Sequence, residues 1–112
     1  MSSAAAGTNP TIHEAERASG PSGFVLWGAA LNIAAAIARP RTGLDVVVRG
    51  DDVDTNRRLA SAIEAAVGPA KRGTPHKKTA GPYALPHYQQ VTPPPRGHCF
   101  YETDKRKARK KP

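Results

Sequence analysis

Residues 44–49 read LDVVVR, with Gly43 in front and Gly50 behind. Three consecutive β-branched valines favour an extended backbone, and the flanking glycines punctuate the run, so the segment reads as one short strand. Because Val46, Val47 and Val48 are all apolar, neither face of that strand suits water, and it belongs in the middle of a sheet covered on both sides. Asp51 and Asp52 then supply an N-cap for a helix reaching about Val67. In it Leu59, Ala60, Ile63 and Val67 recur at helical spacing, with Arg57, Arg58 and Glu64 expected to face water. Gly68-Pro69 stops the helix.

Upstream lies the most hydrophobic stretch, residues 24–38, FVLWGAALNIAAAIA, between Gly23 and Arg39-Pro40. It predicts a buried helix with Trp27, Leu31 and Ile37 toward the core and Pro40 as its end. Fifteen residues at helical rise cover about 22 Å, short of the roughly 30 Å of a bilayer core, so no stable membrane association is expected. Glu14 and Glu16 against Arg17, without a small-residue cleavage site, do not make a signal peptide. Residues 1–20, which begin rich in Ser, Ala, Gly and Thr without any period, read as a disordered leader.

Downstream, from Ala70, the texture changes to Pro, Gly, Lys and His. Two short strands are predicted at 85–92 and 98–103, separated by the turn-forming PPPRG of residues 93–97, and residues 105–112 form a basic tail. The order is helix, strand, helix, strand pair. That order predicts a single α+β domain over residues 21–104, with N-terminal helices packed on one face of a small, mainly antiparallel sheet. Apolar residues make up 38% of the chain and aromatic ones 5%, so its core rests on small aliphatic side chains. A lone cysteine, Cys99, excludes an internal disulfide framework and reads as a small buried hydrophobe.

The net charge of +8 is unevenly spread. Residues 1–70 carry six Lys/Arg against seven Asp/Glu, a net −1, whereas residues 71–112 carry eleven against two, a net +9. A one-sided positive field of this kind draws polyanions and gives salt-dependent binding through counterion release, so a nucleic acid is the expected partner. Lys71, Arg72, Lys77, Lys78 and Arg96 lie outside the tail and are candidate phosphate contacts.

The same region holds three of the four histidines, His76, His87 and His98, together with Tyr83, Tyr88 and Tyr101. Histidine gives and takes protons near neutral pH, and two of them beside a cation can deprotonate a ribose hydroxyl and protonate the leaving oxygen, with no cofactor or metal. Lys or Arg would neutralise charge developing on phosphorus, and Tyr can stack a base or orient the phosphate. His87 and His98 each sit on a predicted strand beside an aromatic, and strand alternation can point both imidazoles from one sheet face into a common cleft. No two of the three histidines have the short spacing of zinc ligands on one element. Other readings stay open: a non-catalytic basic binding protein, a metal-dependent DNase using Asp45, Asp51, Asp52 and Asp54, or a membrane-active toxin built on residues 24–38.

The run Gly81-Pro82-Tyr83-Ala84-Leu85-Pro86-His87-Tyr88, a Pro/Gly-rich link, and Gly97-His98-Cys99-Phe100-Tyr101-Glu102 at the basic end are similar to the C-terminal toxin domains of bacterial polymorphic and contact-dependent inhibition systems. The resemblance covers about residues 44–104. It implies a small nuclease fold in which His87 and His98 are active-site residues, Tyr88 and Tyr101 are their neighbours, and Arg49 on the earlier strand fills one of the charged roles. It further implies a ribonuclease acting on RNA such as tRNA or rRNA, delivered from a bacterium into a target-cell cytoplasm, with a cognate acidic immunity protein as partner.

Overall fold

The computed structural model describes residues 10–18, 23–73 and 83–112. Along them run β1 (Thr11–Arg17), β2 (Val25–Leu31), α1 (Ile33–Arg41), β3 (Asp45–Arg49), α2 (Val53–Val67), β4 (Ala70–Gly73), β5 (His87–Gln90), β6 (Cys99–Tyr101) and β7 (Arg109–Lys110). The strands form one sheet in the order β4-β5-β6-β3-β1-β2-β7. The fold is α+β, and the sheet is mixed: β2 with β7 and β3 with β6 run parallel, the other pairs antiparallel.

Strand β3 lies at the centre, where its three valines predict it, and Val46, Val47 and Val48 have no exposed surface. Its two faces bury different cores. Val46 and Val48 face the helices, packed with Ile12, Ala36, Ala60, Ile63, Cys99 and Tyr101. Val47 faces the other way, against Ala15, Val25, Leu85, Phe100 and Ala108. Burying each such side chain contributes about 1.5–3 kcal/mol, which is why the strand tolerates no polar residue at these three positions.

Helix α2 begins where the aspartates place it. Asp52 accepts a hydrogen bond from the Asp54 N–H at 3.2 Å and another from the Thr55 hydroxyl at 2.6 Å. Asn56, buried one turn in, donates to the carbonyls of Gly50 at 3.0 Å and Glu102 at 3.1 Å, tying the helix start to the ends of β3 and β6. Glu64 departs from expectation: it is fully buried, accepts a hydrogen bond from the Gln90 amide, and burial pushes its carboxyl above the usual range. Its place on the helix, one residue after Ile63, brings it over β5 instead of into water.

Three expectations are corrected. Residues 11–17 are not leader but strand β1, paired antiparallel to β3 on one side and to β2 on the other. Residues 24–38 do not form one helix: they divide into β2 and α1 at Asn32, whose side chain caps α1 by accepting from the Ala35 N–H at 2.9 Å. Val25 to Leu31 becomes a strand because β1 offers it a ladder, a long-range pairing that overrides local preference. As a result strands precede the helices, and Pro40 sits in the last turn of α1, which runs on to Arg41. The tail is not free either: β7 pairs parallel with β2, the Lys111 N–H donates to the Trp27 carbonyl at 2.8 Å, and Ala108 is buried. Among the described residues no helix is long and apolar enough to cross a membrane.

Gly97, at the entry to β6, lies directly against the backbone of Pro40 and Leu44: a Cβ there would fall on the Leu44 carbonyl oxygen and within 2.5 Å of Pro40 Cα. Backbone cannot swing aside as a flexible side chain does. Gly97→Ala should therefore cost about 1–3 kcal/mol of stability through overpacking, read as a lowered urea midpoint at unchanged slope. A midpoint equal to that of the parent would show that the entry to β6 is loosely held.

Candidate active site

On the face of the sheet away from the helices, β5 and β6 run antiparallel with His87 opposite Phe100. His98, two residues before Phe100, emerges on that same side, and the two imidazole rings meet with centroids 4.6 Å apart at an angle of 60°. Phe100 supports both, 5.5 Å from His87 and stacked 5.8 Å from His98. His87 lies over Gly73 of the edge strand β4, where any side chain would strike the imidazole. Its Nε2 is 2.8 Å from Gln89 Oε1, and its Nδ1 is buried. The effect of burial on His87 is opposed by its hydrogen bonds to Gln89 and to the Leu85 backbone.

Asp45 organises the other half. Its Oδ1 accepts the His98 backbone N–H at 2.8 Å, and the carboxylate receives Arg17 Nε at 3.1 Å and Arg17 Nη2 at 3.3 Å. Parallel pairing of β3 with β6 puts His98 beside Asp45, and antiparallel pairing of Ala15 with Asp45 brings Arg17 across from β1. Arg17 Nη2 also reaches His98 Nδ1 at 2.7 Å, while the Arg96 carbonyl oxygen lies 2.9 Å from the same nitrogen. A surface hollow of about 600 Å3 lined by Arg41, Arg96 and the Pro94-Pro95 turn adjoins this end of the sheet.

Both imidazoles hold protons weakly. Burial, then the Arg17 guanidinium and then His87 bring His98 down to about 4, with Asp45 opposing. Burial lowers His87 as well, opposed by its contact with Gln89. Both rings are therefore neutral at pH 7.

The other predicted site residues fall in three places. Tyr88 and Tyr101 are corrected: strand alternation turns them to the opposite face, where both are buried in the core beneath the helices with ring centroids 6.0 Å apart. They neighbour the histidines in sequence and are separated from them by the sheet. Arg49 shares the histidines' face but is engaged, 3.2 Å from Glu102 and 4.0 Å over the Trp27 ring. Lys71 and Arg72 are exposed on β4, and Arg96 is exposed in the turn before β6. His76, Lys77 and Lys78 lie outside the described residues. The fourth histidine, His13, is buried against Trp27 and bonded to Thr11 and the Gly28 carbonyl.

Sequence reading missed Arg17 and gave Asp45 only as a metal-binding carboxylate. Asp52 and Asp54 are occupied as the cap of α2 and as the partner of Arg57. Among the described residues no group of three or more His, Cys, Asp and Glu is placed to hold a metal ion. No model of a known protein family, no curated protein and no solved structure matches this chain.

The depressed value of His98 carries a stability consequence. Between the ordinary 6.5 and about 4 the unfolded chain takes up a proton that the folded site refuses, so the stability contributed by the neutral ring is present above 6.5 and lost as pH falls through about 4. The melting temperature should drop between pH 7 and pH 4, and His98→Asn should drop less over the same interval. Parallel pH curves for the two proteins would show that His98 is no harder to protonate than a free imidazole.

Proposed function

We propose that this chain is a metal-independent ribonuclease in which His87 and His98 serve as the general acid–base pair on an RNA phosphodiester. The observation that carries this reading is the 4.6 Å approach of the two imidazoles on one sheet face, beside a guanidinium. One imidazole accepts the proton of the 2′-hydroxyl as O2′ forms its bond to phosphorus. The other, as imidazolium, gives its proton to O5′ as the P–O5′ bond breaks. A 2′,3′-cyclic phosphate and a 5′-hydroxyl result, and the pair ends with its protons exchanged.

Replacing either His87 or His98 by Ala should reduce RNA cleavage by about 10²–10⁴-fold while leaving RNA binding in place. The reaction needs one neutral and one protonated ring, so kcat/KM should follow a bell that peaks between about 4 and the ordinary imidazole value of 6.5, below neutrality because both rings are depressed. Cleavage should persist in a chelator, and DNA, which lacks the 2′-hydroxyl, should be inert. Full activity in both alanine variants would remove the histidine pair as catalysts, no cleavage by the parent chain would leave a binding protein, and abolition by chelator would leave a metal-dependent nuclease.

The resemblance to bacterial toxin domains supports the further reading that this nuclease acts on competitor cells and is held by an acidic immunity protein over the basic side. Its positive charge is available for RNA: Lys105, Lys107 and Lys110 are exposed. Because β7 and Ala108 belong to the fold, the charge must be tested by substitution, not truncation. Changing these three lysines to Gln should flatten the salt dependence of RNA binding, by about 0.7 in log–log slope for each phosphate that the variant no longer neutralises. Expression of the parent chain in a bacterium should arrest growth and His98→Ala should not; equal growth of the two would remove the toxin reading.

A further inference from the structure

His98 Nδ1 is approached by two groups that cannot both bond to it. Arg17 Nη2 at 2.7 Å is a donor, since a guanidinium carries five N–H groups and no acceptor, and it requires a lone pair on Nδ1. The Arg96 carbonyl oxygen at 2.9 Å is an acceptor, and it requires a proton on Nδ1. A neutral imidazole offers one or the other. The two contacts therefore correspond to two tautomers: with Arg17 bound the proton sits on Nε2, and with Arg96 bound Nε2 carries the free lone pair.

We propose that Arg17 is a phosphate-responsive gate on His98: its guanidinium holds the Nδ1 lone pair in the free protein, and a substrate phosphate draws it away, so that Nδ1–H turns to the Arg96 carbonyl and Nε2 becomes the base. The proposal rests on the reading of this pair as a phosphoryl-transfer site. The exchange is balanced, because one proton leaves Nε2 for solvent and one arrives at Nδ1, with no net uptake.

The geometry makes Arg17 suited to the task. Its side chain is 54% exposed, so a ligand can reach it, and Asp45 holds both its Nε and its Nη2, so a phosphate competes with that one carboxylate for the guanidinium. Asp45 also holds the His98 backbone N–H, which keeps the ring beside Arg17 in both states. Among the described residues, the charged and titratable groups facing His98 are Arg17 from β1, Asp45 from β3 and His87 from β5. Of these only Arg17 is a permanent cation, and a phosphate placed on it offsets the charge that most disfavours an imidazolium there. The cation that masks the base in the free protein then neutralises charge on the reacting phosphorus.

The test is the tautomeric state of His98, read from the shifts of both ring nitrogens in 15N-labelled full-length protein at pH 7.5, with inorganic phosphate added against chloride at equal ionic strength. In chloride the Nε2–H form should dominate, and phosphate should move the tautomer ratio toward Nδ1–H by about tenfold, the bias one charge-assisted hydrogen bond supplies. In Arg17→Gln the Nδ1–H form should dominate with and without phosphate. Dominance of Nδ1–H in the parent protein in chloride, or a ratio that ignores phosphate, overturns the gate. If Arg17→Gln does not fold, the parent titration alone decides. RNA cleavage is measured separately: switching without cleavage would keep the gate and remove the ribonuclease, and cleavage without switching would do the reverse.

Discussion

Strand β3 is hydrogen-bonded along both edges, antiparallel to β1 and parallel to β6, and every other strand reaches the core through one of these two neighbours. A parallel pair needs a crossover, and here the crossover consists of α2, β4 and β5. Its return is fixed at one point by Asp45, whose carboxylate takes the His98 backbone N–H and the Arg17 guanidinium together. Asp45 is thus the place where the half of the sheet built from β1 and β2 is joined to the half built from β4, β5 and β6. The tight passage of Gly97 over Pro40 and Leu44 admits no slack at the same junction.

The site inherits its electrostatics from that junction. Two imidazoles and a guanidinium packed this closely would repel one another if all were charged, and the fold avoids this by keeping both rings neutral. Among the described residues, Asp45 is the carboxylate that faces them. A proton on His87 further disfavours one on His98.

The positive charge divides in the same way. On the histidines' side of the sheet Arg49 is held by Glu102 and Trp27, and at β7 Arg109 lies 3.5 Å over Phe24, so these cations fasten the fold. Those on β4, in the turn at Arg96 and at Lys105, Lys107 and Lys110 face solvent and set the attractive field. A segment that composition marks as a solvated tail serves both purposes, because β7 needs only backbone to pair and leaves its side chains outside.

Strand β3, helix α2, the β5–β6 pair, the burial of Cys99 and the concentration of charge after residue 70 were legible in the sequence, because each depends on local periodicity, capping or composition. The meeting of His87 and His98 was legible as well, since two antiparallel strands with a histidine on one face of each bring the rings together. Strands β1, β2 and β7 were not, for Thr11–Arg17 alternates poorly and Val25–Leu31 runs into an alanine-rich helix without a break other than Asn32. Their state is decided by the partner strand, which lies far away in the chain. The facing of Tyr88 and Tyr101 was also hidden: His-Tyr and Phe-Tyr pairs put one residue on each side, and only the docking of α1 and α2 determines which side becomes core. Arg17 and Asp45 carry no local mark of function, because their role comes from three strands meeting at one carboxylate, and register between strands is a property of the folded sheet alone.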